Sequence, residues 1–329
     1  MKKILENLFN QQFLTREIAK NILGEISDGK YNPSEISAFL TVFKMRNITV
    51  EELTGFRDCL IERCISIDLS EFDAIDLCGT GGDGKDTFNI STLSSFVVAG
   101  AGYKVAKHGN YGVSSTCGSS NVLEYLGYKF TSNQDQLKHQ LDKSGICVLH
   151  APLFHPAMKQ VAPIRKDIGV RTFFNMLGPM VNPSLPKKQL IGVFSLQLLR
   201  YFKYIYEQLN ISYRIIHSLD GYDEISLTSQ TKVISPEKEC LLNPDEITKI
   251  KISPKDLAGG KDIKESAQIF IDILEGKGSE AQNITVIANA AMAIQCYNNT
   301  EDFNESLAVA KESLESKAAL KSFKTLLSI

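Results

Sequence analysis

Across residues 1–70 the apolar positions recur at helical spacing, and no stretch alternates as a strand would. Thr15 opens a run in which Ile18, Ala19, Ile22, Leu23 and Ile26 fall on one face. Ser34 is placed to cap a second run through Phe43, and Thr49 with Glu52 forms a capping box for a third. This pattern predicts a small helical unit. From Ala74 the period changes: short apolar segments at 74–77, 103–106, 146–150, 189–194 and 213–217 alternate with helical runs. Such alternation predicts an α/β unit over residues 71–329, with a mainly parallel sheet covered by helices. Beyond Ser226 the pattern thins to a candidate strand at 231–234 and a strong helix at 279–297, which starts in a capping box of Ser279 and Gln282. No repeat, low-complexity tract or unstructured linker breaks the chain.

Composition narrows the class. A chain of 329 residues suggests about two domains, and 43% hydrophobic residues suffice for a sizeable core. The formal net charge of -2 removes any general electrostatic case for nucleic-acid or membrane binding. Residues 1–11 are too polar for a signal-peptide core, and no run approaches the ~18 apolar residues that span a bilayer, so a cytoplasmic protein is expected. Cysteines at 59, 64, 78, 117, 147, 240 and 296 are odd in number and lack C-x-x-C spacing, which indicates neither a disulfide framework nor a zinc site. Only Cys78 and Cys117 flank the segments that carry candidate chemistry.

The first of those segments runs from Gly79 to Thr92, between an apolar strand and a helix. Gly79, Gly81, Gly82 and Gly84 let the backbone approach an anion, while Asn89, Ser91 and Thr92 bring donors to the start of the next helix. Gly79, Gly81 and Gly84 also satisfy G-x-G-x-x-G, but no acidic residue follows at the distance where a dinucleotide's ribose needs one. The P-loop pattern fails as well, because Asp86 stands where Ser or Thr must reach magnesium. By itself the glycine cluster also fits an unliganded turn. The second segment, Lys107 to Ser120, crowds a cation, an imidazole, an amide and several serines into one strand-to-helix connection. Lys107 can face phosphate as a point charge, and Ser114, Ser115 and Ser119 can cap a helix or an anion. Two such loops on adjacent βα units favour a shared crevice over two unrelated turns.

Two further constellations stay open when read from the residues alone. Adjacent Asp223 and Glu224, in a turn after the segment at 213–217, suit either a hard cation bridging to phosphates or plain solvated charge. Arg165 offers a planar fork for a carboxylate or a surface ion pair. His108 and His155 are better explained as shaping residues than as acid-base groups.

Gly79-Thr80-Gly81-Gly82-Asp83, Asn89-Ile90-Ser91-Thr92, Lys107-His108-Gly109-Asn110 and Arg171-Thr172-Phe173-Phe174-Asn175-Met176-Leu177-Gly178-Pro179 together resemble the anthranilate phosphoribosyltransferase family. The similarity runs over nearly the whole chain in motif order and spacing. It implies that Gly79, Gly82, Asp83, Thr87, Asn89, Ile90, Ser91 and Thr92 form one half of a phosphoribosyl diphosphate shell. Lys107, His108, Gly109, Asn110, Tyr111, Gly112, Val113, Ser114, Ser115 and Ser119 form the other half. By the same resemblance Gly79, Asn110 and Arg165 contact anthranilate, and Ser91, Asp223 and Glu224 hold two magnesium ions. Arg171 is given the helix junction before Asn175. The helical unit, residues 1–70, takes in helices from about 165 to 180 across a hinge and carries a homodimer contact. Catalysis then needs no nucleophile and no dedicated acid or base. Tyr111 and Asn121 depart from the family's usual Arg and Asp. A pyrimidine nucleoside phosphorylase shares the broad architecture, and a nucleic-acid-binding relative would show a basic stripe that this chain lacks.

Overall fold

The computed structural model describes residues 1–112, 117–300 and 302–329. Val113, Ser114 and Ser115, expected in the phosphate shell, lie outside the described residues.

The chain opens with helices α1 (Lys2–Phe9), α2 (Arg16–Ser27), α3 (Pro33–Met45) and α4 (Val50–Glu62). Thr15 caps α2 through its side chain, and the Thr49–Glu52 capping box forms at α4. The expected cap at Ser34 is a correction: Asn32 caps α3 in a reciprocal box with Glu35, and Pro33 takes the first helical position. Proline fits there because that position's N–H has no intrahelical partner to lose. Glu52 also accepts from the Leu14 N–H at 2.9 Å and pairs with the buried Arg46 guanidinium at 2.5 Å, tying the turns around α4 together.

The rest is organised on a seven-stranded sheet of order β3-β2-β1-β4-β5-β6-β7. Its strands are β1 (Ile75–Gly79), β2 (Val105–Gly109), β3 (Ile146–His150), β4 (Lys188–Gly192), β5 (Ser212–Ser218), β6 (Thr231–Ile234) and β7 (Glu239–Leu242). Neighbours among β1 to β5 pair in parallel, and β6 and β7 add an antiparallel edge. Between them run α5 (Ile90–Gly100), α6 (Ser119–Tyr125), α7 (Gln134–Ser144), α8 (Ala151–Phe154), α9 (Val161–Ile168), α10 (Phe174–Leu177) and α11 (Leu196–Tyr206). The chain ends in α12 (Ile263–Leu274), α13 (Glu280–Asn298), α14 (Phe303–Glu315) and α15 (Ala318–Ser328). No helix among the described residues is long and apolar enough to cross a membrane.

Side chains alternate across the sheet into two large cores, and a third, smaller cluster gathers Ala106, Cys147 and Leu149 with Leu137, Leu141 and Phe154. Ile75, Leu77 and Leu190 face α5 and α12 to α15, while Ile191, Val193 and Ile215 face α1 to α4 and α9 to α11. The second core is aromatic where the N-terminal helices meet the later segment. Phe173 stacks on Phe56 with centroids 4.2 Å apart and meets Phe43 and Phe39 edge-on.

The first two strands extend further than their apolar signal suggests. β1 continues through Cys78 and Gly79, and β2 through Lys107, His108 and Gly109, so these site residues lie on strands rather than in connections. Their polar groups find partners inside the protein: Lys107 Nζ donates to the Leu77 carbonyl at 2.8 Å, and His108 Nδ1 bonds the Gly178 carbonyl at 3.0 Å. Truncating Phe173 to Ala removes the ring shared by the two helical segments. We expect a loss of about 3–5 kcal/mol, measured as a lower urea midpoint at unchanged slope.

Candidate active site

The strand order reverses between β1 and β4, which opens a crevice at their C-terminal ends. Gly79 and Gly192 sit side by side there. The turn after β5 passes directly over them: a Cβ on Gly192 would overlap the Asp223 carbonyl oxygen, and one on Gly79 would strike the Asp223 carboxylate. Only a pair of residues without side chains admits this crossing.

Three contacts fix the crossing turn. Asn289, buried in the middle of α13, accepts from the Ile225 N–H and donates to the Ile225 carbonyl, both at 2.9 Å. Ser218 donates to the Glu224 carbonyl at 2.7 Å. On the ligand side, the Gly81 N–H donates to Asp223 Oδ2 at 2.7 Å and the Ser91 N–H to Glu224 Oε1 at 2.9 Å. Gly81, Gly82 and Gly84 take φ of 60°, 72° and 76°, the left-handed backbone that turns the loop around the carboxylates.

Asp83, on the same loop, brings a further carboxylate into this neighbourhood. Burial, then Asp83, pushes the Asp223 carboxyl up to about 7. Glu224 is raised well above the ordinary carboxylate value by burial, then by Asp223 and Asp83. Burial raises Asp83 as well, against the pull of Lys85 and Arg171. The arrangement concentrates negative charge that a cation would relieve. Among the described residues no three His, Cys, Asp or Glu side chains converge closely enough to hold a metal by themselves.

Most of the expected site residues line two adjoining cavities. One of about 160 Å³ is bounded by the glycine loop, Thr87, Asn89, Ser91, Thr92, Ser119, Asp223 and Glu224. Another of about 250 Å³ is bounded by Lys107, His108, Gly109, Asn110, Tyr111, Gly112, Arg165 and apolar Leu60, Met158, Phe174 and Val181. Gly79, Gly81 and Gly82 belong to both. Asn89 Nδ2 donates to the Cys117 carbonyl at 3.3 Å, joining the two phosphate-type loops. The hydroxyls of Thr80 and Thr92 are buried without a partner among the described residues, ready for a ligand oxygen. Of the first loop's expected site residues, Ile90 is instead buried in the core, next to Phe88.

Arg165 lies in the second cavity without a carboxylate partner among the described residues. Its guanidinium donates to Asn175 Oδ1 at 3.3 Å and sits 5.2 Å from the Phe174 ring centroid; burial lowers its pKa to about 10, which leaves it charged at neutral pH. A partly buried cation without a carboxylate partner among the described residues, beside apolar walls, suits an aromatic carboxylate. His108 and His155 are driven by burial down to about 3 and about 4, so both are neutral near pH 7 and line the pocket without adding positive charge.

Arg171 is a correction. It does not hold the junction before Asn175; its guanidinium lies 5.4 Å from the Phe194 ring centroid, and its stem rests against Gly82. Asn175 holds that junction itself by accepting from the Thr172 N–H at 3.1 Å. The two departures have clear local roles. Asn121 Oδ1 accepts from the N–H groups of Gly112 and Gly118 at 2.9 and 3.0 Å, closing the base of the second loop. Tyr111 donates to the Glu124 carboxylate and meets the His150 ring at 4.7 Å.

The sequence profile of the glycosyl transferase family a/b domain matches residues 71–320, and that of its helical bundle domain residues 2–64. An anthranilate phosphoribosyltransferase of Flavobacterium psychrophilum is 60% identical over 326 residues, covering 99% of this chain and 98% of that protein. The chain belongs to the anthranilate phosphoribosyltransferase family. Family members of known structure share the fold at lower identity. The enzyme from Thermus thermophilus superposes with a TM-score of 0.89 at 29% identity, covering 98% of each chain. The enzyme from Saccharomyces cerevisiae in complex with phosphoribosyl diphosphate and magnesium gives 0.89 at 26% identity, covering 98% of this chain and 96% of that one.

Raised carboxyl pKa values set the sign of a pH effect. Carboxyls that bind protons more tightly in the folded than in the unfolded state favour folding at low pH. That contribution is present below the unfolded value of about 4 and fades as pH rises toward the folded value of about 7 for Asp223. We therefore expect the metal-free protein to lose melting temperature across this interval. Asp223→Asn should flatten the trend; an identical profile in the variant, followed by calorimetry in chelator, would remove Asp223 as its source.

Proposed function

We propose that this protein transfers the phosphoribosyl group of 5-phosphoribosyl 1-diphosphate to the amine of anthranilate, giving N-(5-phosphoribosyl)anthranilate and diphosphate in tryptophan biosynthesis. The observation that carries this reading is the pairing of two cavities across Gly79 to Gly82, one carboxylate-rich and one holding the unpaired Arg165. A relative 60% identical over its length and bearing this activity in its name favours it over a nucleoside phosphorylase or a nucleic-acid-binding protein.

In this reading the donor's diphosphate lies in the glycine-lined cavity against the backbone N–H groups of the loop and the hydroxyls of Ser91, Thr92 and Ser119. Magnesium, two ions in this proposal, would be held by Asp223, Glu224 and Ser91 with waters and diphosphate oxygens filling the remaining positions, and would offset charge gathering on the leaving group. Arg165 grips the anthranilate carboxylate, while the walls from Leu60, Met158 and Val181 seat the ring. Asn110, whose Oδ1 accepts from the Tyr111 N–H at 2.8 Å, presents its amide toward the acceptor. An aromatic amine is neutral at pH 7 and attacks the ribose C1 without a strong base; orientation and charge stabilisation supply the catalysis. A helical unit of residues 1–70 with 165–180, hinged against an α/β unit of 71–329, a homodimer and a cytoplasmic location complete the proposal.

Mixing the protein with anthranilate, phosphoribosyl diphosphate and magnesium should quench anthranilate fluorescence, and omission of any component should abolish the change. No quenching by folded protein overturns the assignment. Arg165→Ala removes a charge-assisted contact worth about 1.5–3 kcal/mol, so kcat/KM for anthranilate should fall about 10- to 100-fold. Neutralising Asp223 and Glu224 together should raise the magnesium concentration needed for half-maximal rate.

A further inference from the structure

Arg171 lines neither of the two cavities and has no part in the binding roles described above, but its stem lies against Gly82, which borders both. Its backbone is tied to the acceptor side. Asn175 Oδ1 receives Arg165 Nη2 at 3.3 Å and the Thr172 N–H at 3.1 Å, so one oxygen sets both the carboxylate-gripping arginine and the peptide next to Arg171. Its side chain is tied to the donor side. The guanidinium lies 5.4 Å from the Phe194 centroid, just beyond the end of β4, and a Cβ on Gly82 would come within 2.9 Å of its Cδ. Gly82 is a member of the diphosphate loop and holds φ of 72°. No ion pair fixes the Arg171 guanidinium among the described residues, so ring and loop together define where the stem rests. The same loop residue thus has an acceptor-linked side chain against its open face.

We propose that Arg171 is a positioning residue that couples the two substrate sites. A carboxylate seated on Arg165 fixes Asn175 and Thr172, and Arg171 then braces Gly82 in the conformation that receives diphosphate. The inference rests on the transfer reaction proposed above. By linkage, ligand in the diphosphate cavity must tighten the acceptor by the same factor as the acceptor tightens it. Loss of Arg171 should therefore erase the mutual effect while sparing each ligand's affinity alone, which a purely structural residue or a direct ligand contact would not do.

The test is a double titration that involves no turnover. Anthranilate binding is followed by its fluorescence with and without magnesium diphosphate. In the wild type the added magnesium diphosphate should lower the anthranilate Kd at least about fivefold. Arg171→Ala should bring that factor close to one, with the Kd of each ligand alone altered less than about twofold. Phe194→Leu, which leaves Arg171 in place and removes the ring beneath it, should give an intermediate factor and keeps the idea testable if the alanine variant is unstable. A wild-type factor near one, a wild-type factor retained in folded Arg171→Ala, or weakened binding of one ligand in isolation would each overturn the proposal. Turnover of anthranilate with phosphoribosyl diphosphate, run on the same wild-type sample, separates the two readings. Turnover with unaltered coupling in the variant defeats this inference alone, whereas no turnover defeats the reaction and the inference with it.

Discussion

Everything at the site depends on how closely one turn crosses two strand ends. Gly79 and Gly192 lie as neighbours where the sheet reverses its order, and the absence of side chains there lets Asp223 rest on the strands. A methyl group at Gly192 would lift the turn, and one at Gly79 would push the Asp223 carboxylate aside. The carboxylates would then leave the N–H groups of Gly81 and Ser91, and the wall between the two cavities would go with them. Sheet topology creates the crevice, but steric vacancy at two residues decides what stands in it.

That crossing concentrates charge at a cost. Asp83, Asp223 and Glu224 all bind protons more readily than free carboxylates because they are withdrawn from water and close to one another. Lys107 is near enough to favour ionisation of Glu224, yet its ammonium is hydrogen-bonded to the Leu77 carbonyl rather than to a carboxylate. The folded chain thus carries an electrostatic imbalance that a bound cation would relieve. Strain of this kind is what a binding site built in advance is expected to show.

The sequence discloses this architecture unevenly, for physical reasons. Apolar segments reveal where strands begin, because burial selects Ile75, Leu77 and Val105. They conceal where β1 and β2 end, since Cys78, Gly79, Lys107 and His108 are strand residues chosen for the site or for internal hydrogen bonds. The edge strand β7 carries only weak alternation because it is half exposed. Asp223 and Glu224 are visible as a pair, whereas Gly192 has no local pattern to mark it; its meaning arises only from the turn that crosses it. Asn289 does leave a trace, a lone amide among Ile287, Ala288, Ala290 and Ala291, where an unpaired polar group would be costly. Asn32 was legible in principle too, since Asn-Pro with Glu at the third helical position is a start signal that outweighs Ser34.

Asn289 gives the C-terminal helices a mechanical connection to the chemistry. With 19 residues, α13 is a rod about 28 Å long, wedged between α5 and α14, and its midpoint holds Ile225 by both backbone groups. A rod gripped at its centre transmits displacement from either end. Changes in how α14 packs against α13 therefore bear on the seat of the carboxylate turn. The C-terminal helices are thereby linked, through a single amide, to the turn that carries Asp223 and Glu224.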